Sequence, residues 1–470
     1  MVILFHDSNV ITSIEVNGKI VEGVNEKIHL ALVDLAVQHP DEVIAWCHER
    51  VRDRINRAEF NIDVNYPFWM ISCSPIGQGY FGKLIGYVDQ STSIKINQNV
   101  TYPTWQMSSL VGAISSNTLN SLVIGREFKG SFDYFLNALG KQLKSQGVLC
   151  YRKPALLFKE ITDKFTQSSI SQLMSFVRHY YGIRWLGFLI FNLFFFEKKI
   201  DFGAIKALTS RVKKVVKQSQ FNWSLTYDSI ANESFSVDVI IPTLGRKKYL
   251  CDFLADLTVQ THLPNKVIIV EQDSSGKGLT ELDDLKNQDW PFVLDIIFTQ
   301  QLGACHARNI ALSKVAGDYV FFADDDIRVS KGFIADALNH IVKLNLNAAS
   351  LQCRQPNEKS TKLKFGQWGG FGSGSSIVNT SALKDLKFDT NYEHGFGEDS
   401  DFGMQLRNSG TDIFYLPKPE ILHLKAPSGG FRTKFKQPWD VDSIKTKPSP
   451  TVLLFLKKHC TREQLLGYKV

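Results

Sequence analysis

From Val237 onward the chain alternates short runs of β-branched residues with stretches of helical spacing, and this alternation restricts the fold more than any other feature. Val237-Asp238-Val239-Ile240-Ile241-Pro242 predicts a strand, and Leu250, Phe253, Leu254 and Leu257 give residues 248–261 helical spacing. A strand over 266–270, a helix near 279–285, a strand over 292–298 and a helix over about 304–315 follow. The next strand, Tyr319-Val320-Phe321-Phe322-Ala323, runs into Asp324-Asp325-Asp326. Repeated βαβ units predict an α/β domain with a mostly parallel sheet, helices on both faces, and strand tips gathered at the edge where nucleotides bind.

Three consecutive carboxylates at the tip of a buried strand are costly unless a cation joins them. Hard oxygen ligands favour Mg²⁺ or Mn²⁺, ions that usually arrive with phosphates. The plainer alternative is an acidic turn capping the next helix. Farther on, a glycine-rich stretch over 366–376 precedes the strand-like Ile377-Val378. Phe396-Gly397-Glu398-Asp399-Ser400-Asp401-Phe402 then opens a helix, and strands over 412–416 and 421–423 complete the module.

At 470 residues the chain is too long for one ordinary core, so at least two domains are expected. A net charge of +7 fits an anionic substrate, an acidic membrane surface or nucleic acid without choosing among them. No recognised nucleic-acid module appears. The seven cysteines are scattered singly, with no zinc-like spacing, which suits a reducing cytoplasm. Residues 1–7 lack the charged flank of a signal peptide and read as a strand. Residues 183–196 are strongly apolar but shorter than the roughly 20 residues a membrane span needs. Their aromatics lie near Lys206, Arg211, Lys213, Lys214 and Lys217, as in a helix resting on the inner face of a membrane; a buried interdomain helix is the alternative.

The N-terminal part offers internal likenesses to the second module. Residues 140–147, then Tyr151 and Lys153-Pro154, parallel residues 403–410, then Tyr415 and Lys418-Pro419. Residues 40–44 parallel 264–268, and 112–122 parallel 374–386. Phe135 and Leu136 then stand where Glu398 and Asp399 stand, and Asp89 is the acidic residue nearest to a counterpart of the triplet. The N-terminal half is thus either a degenerate copy that has lost its acidic chemistry or a chance likeness of composition. The expected organisation is an α/β domain over 1–157, a basic and aromatic helical connector over 158–234, a catalytic domain over 235–426, and a tail or lid over 427–470.

The strand tips supply what a nucleoside diphosphate needs. Pro242, Thr243 and Arg246 stand at a helix start that favours pyrophosphate. Glu271 and Asp273 offer acceptors for base and ribose, and Arg308 can neutralise phosphate. Taken singly, each is equally well explained by turn geometry. Trp368 and Gly370 are either a platform for a sugar ring or a packing device.

Taken in order, residues 236–426 resemble the inverting family 2 glycosyltransferases of GT-A fold. The likeness rests on Val239-Ile240-Ile241-Pro242-Thr243, Ala307-Arg308-Asn309, the Asp324-Asp325-Asp326 DxD element and Gly397-Glu398-Asp399. It implies a nucleotide-sugar donor, a divalent metal (Mg²⁺ or Mn²⁺) and a glycan or lipid-linked acceptor in surface-polysaccharide synthesis. By carry-over, Asp324 meets ribose or metal, Asp326 binds the metal, and His423 stands where some members add a third ligand. Asp399 is the expected general base, Glu398 orients acceptor or base, and Asp401 competes for the role. Glu271-Gln272-Asp273 departs from the two aspartates and glycine of many members, leaving the base-reading residue open. Nucleotidyl transfer and non-catalytic carbohydrate binding are the alternative functions.

Overall fold

The computed structural model describes residues 1–21, 27–125, 128–159, 166–201, 203–209, 214–221, 235–273, 276–360, 364–427 and 449–470. The chain forms two compact units, Met1–Ser224 with His459–Val470, and Leu225–Lys458.

The first unit runs β1 (Val2–Asp7), β2 (Val10–Val16), β3 (Lys19–Val21), α1 (Ile28–Gln38), β4 (Val43–His48), β5 (Trp69–Cys73), β6 (Tyr102–Pro103), β7 (Val111–Ser115), α2 (Ser116–Asn120), β8 (Leu122–Ile124), α3 (Phe132–Lys144), β9 (Leu149–Arg152), α4 (Ile170–Tyr180), α5 (Ile183–Glu197), α6 (Gly203–Thr209) and β10 (Val216–Ser219). Its main sheet has the order β3-β2-β1-β4-β7-β5-β9-β6, and β10 pairs with β8. The stretch expected to be a helical connector therefore also contains a strand. Its helices share the unit's core through Leu173, Phe176, Val177, Leu186, Leu189 and Leu193.

Residues 183–196 form α5, which has one buried and one exposed apolar face. Leu186, Leu189 and Leu193 are buried at helical spacing, whereas Trp185, Phe188, Phe191, Phe194 and Phe195 are exposed by 38–56%. Among the described residues, no helix is long and apolar enough to cross a membrane.

The second unit runs β11 (Val237–Thr243), α7 (Lys247–Thr258), β12 (Lys266–Gln272), β13 (Val293–Thr299), α8 (Ala304–Leu312), β14 (Tyr319–Ala323), β15 (Ile327–Arg328), α9 (Phe333–Leu344), β16 (Ala348–Arg354), β17 (Gly366–Gln367), β18 (Ser375–Asn379), α10 (Glu398–Asn408), β19 (Phe414–His423) and α11 (Pro450–His459); α12 (Arg462–Lys469) belongs to the first unit. Its sheet has the order β13-β12-β11-β14-β18-β16-β19-β15, with β17 also on β19. The expected α/β sheet is parallel over β13-β12-β11-β14 and becomes mixed at β18, which runs antiparallel to both β14 and β16. Continuously apolar strands such as β14, buried at every position, are what a sheet covered on both faces requires.

Three local expectations change. The helix near 279–285 reduces to a single 3₁₀ turn, Asp283–Leu285. The two strands over 412–423 are one strand, β19. The stretch before Asp89, the acidic residue nearest to a counterpart of the triplet, is not a strand but a 3₁₀ turn, Lys83–Tyr87, and Asp89 is a buried carboxylate that accepts from Trp105 and pairs with Lys141 at 3.3 Å. The strand occupying β14's place in sheet order is β4, and residues 40–44 lead into it, so their likeness to residues 264–268 on β12 does not follow the topology.

Candidate active site

The tips of β11 and β14 meet at the sheet's C-terminal edge because the two strands pair in parallel, Val237 with Tyr319 through Ile240 with Phe322. The three aspartates then part company. Asp325 is buried and turned toward β11, where Thr243 Oγ1 donates to it at 2.8 Å and Arg246 at 2.9 Å. Burial pushes its carboxyl up to about 6 against the pull of Arg246. Thr243 and Arg246 thus spend their hydrogen bonds fastening the acidic turn. Pro242 lies half-buried in β11, opposite Val270.

Asp326 turns toward the end of β19. The Ala426 amide donates to it at 2.8 Å, and His423 Nε2 lies 3.1 Å from it. Burial works against its charge most strongly of any single influence, but the hydrogen bonds from His423 and the Ala426 amide and the charges of His423 and Arg246 together outweigh it and hold the carboxyl at about 2. Asp324, with a side chain 32% exposed, opens toward the cleft and takes Arg308 Nη2 at 3.2 Å. Asp324, Asp326 and His423 can each offer one ligand atom, all within 4.8 Å of one another. Two carboxylates and an imidazole form a donor set that suits Mg²⁺ or Mn²⁺.

Arg308 is buried on α8, with its guanidinium 5.6 Å from the Phe388 ring centre, and its charge is felt by Asp324, Asp399 and Glu398. It therefore links the aspartate tips to the first turn of α10. Asp399 accepts hydrogen bonds from the backbone and hydroxyl of Ser373; burial raises its carboxyl, and Arg308 opposes the rise. Glu398 is raised to about 7, by burial first and then by the neighbouring Asp399 charge. Asp401, the competing acid, is fully buried and paired with Lys458 at 2.7 Å.

The acceptors after β12 serve their own loop. Glu271 accepts from the Glu281 amide at 2.6 Å and from the Thr280 hydroxyl. Asp273 takes the Gly276 and Gly278 amides at 2.8 and 2.7 Å. Trp368 lies against Tyr415, ring centres 4.9 Å apart, and packs on the core beside Gly370. Arg432, Lys434 and Lys436, cations of the suggested lid, lie outside the described residues. The described part of that tail instead includes Thr451, whose hydroxyl accepts the Phe396 amide at 2.9 Å just ahead of Gly397.

Three residues escaped the sequence reading. Ser373 holds Asp399. A Cβ on Gly374 would lie 2.1 Å from the Asp324 carboxylate, so glycine is what lets the start of β18 approach the acidic tip. Glu393 caps α8, accepting the His306 and Cys305 amides at 2.6 and 3.2 Å. The glycine-rich composition of 366–376 was the available signal for the first two; nothing local marked Glu393.

Residues 238–398 match the family model described as Glycosyl transferase family 2. An uncharacterized glycosyltransferase of Haemophilus influenzae is 26% identical over 110 residues, which are 23% of this chain and 44% of the relative's length. The chain thus spans less than half of that curated relative. Among solved structures, S. aureus TarS in complex with UDP-GlcNAc is 21% identical over 44% of this chain and 63% of that one, with a TM-score of 0.36. The mannosyltransferase PcManGT from Pyrobaculum calidifontis, in complex with GDP-Man and Mn²⁺, is 18% identical over 43% and 60%, with a TM-score of 0.34. Residues 238–398, which carry Thr243, Arg308, the aspartate triplet and Glu398, are a glycosyl transferase family 2 domain.

Proposed function

We propose that the chain is a metal-dependent inverting glycosyltransferase that moves a sugar from a nucleoside-diphosphate-sugar to a hydroxyl of a glycan or lipid-linked acceptor. The observation that carries this reading is the placement of Arg308 between a metal-ligand set, Asp324, Asp326 and His423, and a half-buried first-turn carboxylate, Asp399. A divalent ion held by those three residues would offset the negative charge that builds on the leaving diphosphate.

The chain's own residues divide the remaining work. Arg308 adds a fixed positive charge beside the same phosphates, where preorganised electrostatics lower the barrier. Asp325 acts at one remove, through Thr243 and Arg246, keeping Asp324 and Asp326 in register. Asp399 Oδ takes the proton from the acceptor hydroxyl as that oxygen attacks the anomeric carbon from the side opposite the diphosphate, and a single displacement inverts the centre. Glu398, poised near neutrality, orients the acceptor. The exposed aromatics of α5, followed by Lys198 and Lys199, support peripheral attachment to an anionic membrane where a lipid-linked acceptor would be met.

The test is a panel of nucleotide sugars with Mn²⁺ or Mg²⁺, scored for nucleoside diphosphate release and product anomer. Metal-dependent nucleoside diphosphate release that disappears in Asp326→Ala is the expected result. Undiminished turnover in that variant would sink the metal assignment, and release of inorganic pyrophosphate would replace glycosyl transfer with nucleotidyl transfer.

A further inference from the structure

The two units share more than composition. In the first, β1 runs parallel to β4, β4 antiparallel to β7, β7 antiparallel to β5, and β5 parallel to β9. In the second, β11, β14, β18, β16 and β19 follow one another with the same sequence of senses. The register agrees in detail. Ser72 faces Gly112 and its hydroxyl accepts the Ser108 amide at 3.1 Å; Ser350 faces Ser376 and its hydroxyl accepts the Gly372 amide at 3.3 Å. The helices before the last strand agree too. A Cβ on Gly140 of α3 would lie 2.4 Å from the Trp105 carbonyl oxygen and 3.1 Å from Met107, and one on Gly403 of α10 would lie 3.1 Å from Phe371. Past their ends, Gly147 and Gly410 adopt φ of 95° and 94°.

With the strands so matched, Val43 opposite Ser115 corresponds to Tyr319 opposite Asn379, and His48-Glu49-Arg50 falls where Asp324-Asp325-Asp326 stands. α1, in the place of α8, carries no lysine or arginine, so nothing on it replaces Arg308. Among the described residues the first unit has no counterpart of the metal-ligand set, whereas the acceptor side persists. Asp133 accepts the Ser109 amide at 2.9 Å, as Asp399 is held by Ser373; each serine stands two residues ahead of the antiparallel strand, and each aspartate is the second residue of its helix. Matching Gly140 to Gly403 puts Leu136, not Asp133, beside Asp399, because α3 starts one turn earlier; the longer helix delivers its carboxylate to the same serine from one turn back. Around Asp133, the buried His6 bonds the Ser109 carbonyl oxygen at 2.8 Å and lies 5.3 Å from both His48 and Phe132, while His48 faces Asp7 at 3.6 Å. Asp133 and His48 keep part of their surface in solvent.

We infer that the first unit is a second copy of the catalytic module, and that its surface around Asp133 and His48 binds the hydroxyls of a neutral glycan through those two side chains without transferring sugar to it. A carboxylate and an imidazole suit paired sugar hydroxyls; among the described residues no His, Cys, Asp or Glu group there is close enough to hold a metal, and the charge of the exposed Arg50 beside them already acts on Asp133. The inference rests on reading Asp399 as the acceptor-side carboxylate of the second unit.

Photo-labelling of the full chain with diazirine-bearing methyl glycosides of glucose, galactose, N-acetylglucosamine and N-acetylgalactosamine, followed by peptide mapping, tests it. Label is expected on the peptides carrying His48, Ser109 and Asp133, falling at least tenfold in Asp133→Ala and in His48→Ala and unchanged in Asp399→Asn, while nucleoside diphosphate release persists in both first-unit variants. His48→Ala alters a partly exposed side chain, so it remains informative if Asp133→Ala fails to fold. Absence of label from these peptides, or label insensitive to a folded variant, overturns the inference. Full transfer by Asp399→Asn would instead overturn the reading of the second unit, whatever the first unit binds.

Discussion

Replacing Asp399 by Asn tests the proposed mechanism most directly, because it removes a proton acceptor and little else. The amide keeps the shape of the carboxylate and an oxygen that accepts from Ser373, so the fold and the aspartate tips should be undisturbed. A general base is typically worth about 10²–10⁴ in rate, and at about 1.36 kcal/mol per decade its loss raises the barrier by about 2.7–5.4 kcal/mol. Donor affinity should change little, since Arg308 and the metal-ligand set Asp324, Asp326 and His423 are left intact. The assay is kcat and KM for nucleoside diphosphate release across pH 5–9, with a parallel titration of donor binding. The sign of the pH effect follows from the role: the base works deprotonated, so the wild-type rate falls on the acid side, with an inflection above the ordinary aspartate range because burial raises Asp399. Glu398 is the built-in rival. Its value of about 7 owes its second-largest upward push to the Asp399 charge, so Asp399→Asn should let it drift down. A variant that retains transfer, with an acid-side inflection moved downward, would identify Glu398 as the base and refute the assignment.

Two further outcomes concern structure and location. Asp238 is fully buried and accepts the Ala316 and Gly317 amides at 2.7 and 2.9 Å and Asn265 at 3.3 Å; Asp238→Ala leaves those donors unpaired and should cost about 2–4 kcal/mol of stability, read as a lowered denaturation midpoint, and an unchanged midpoint would deny it this anchoring role. Deleting residues 183–196 would strip Leu186, Leu189 and Leu193 from the core, so the membrane reading is better tested by changing Phe188, Phe191 and Phe195 to Ser on the exposed face. At about 1.5–3 kcal/mol for each fully buried side chain, their loss should lower cosedimentation with phosphatidylglycerol vesicles more than tenfold, and equal sedimentation would leave the exposed face without a membrane role.

The chain's own order of residue types determined much of the second unit. Periodicity placed β11, α7, β12, β13, α8 and β14 within a few residues, because βαβ units bury continuous apolar strands whose tips are then fixed at one edge. Residue chemistry at the strand tips singled out Arg308 and the aspartate triplet, whereas the roles of Asp326, Asp399 and His423 came from the resemblance to family 2 glycosyltransferases. What it could not do was divide the labour among side chains at those tips. Asp325 looked equal to its neighbours until β11 supplied Thr243 and Arg246; Glu271 and Asp273 looked free until their own loop folded back on them; Ser373 and Glu393 had no pattern of their own. The first unit shows the same limit more sharply. Sequence likeness matched the last helix and strand of the two units, but the acidic residue it set nearest to a counterpart of the triplet was Asp89, a buried carboxylate paired with Lys141. Strand order and sense chose β4, and a one-turn difference in helix start put Asp133 on Ser109. Local pattern fixes which elements form, because periodicity acts within a dozen residues. Which polar groups share a site is decided by pairing between strands far apart in sequence, and only the tertiary structure records that.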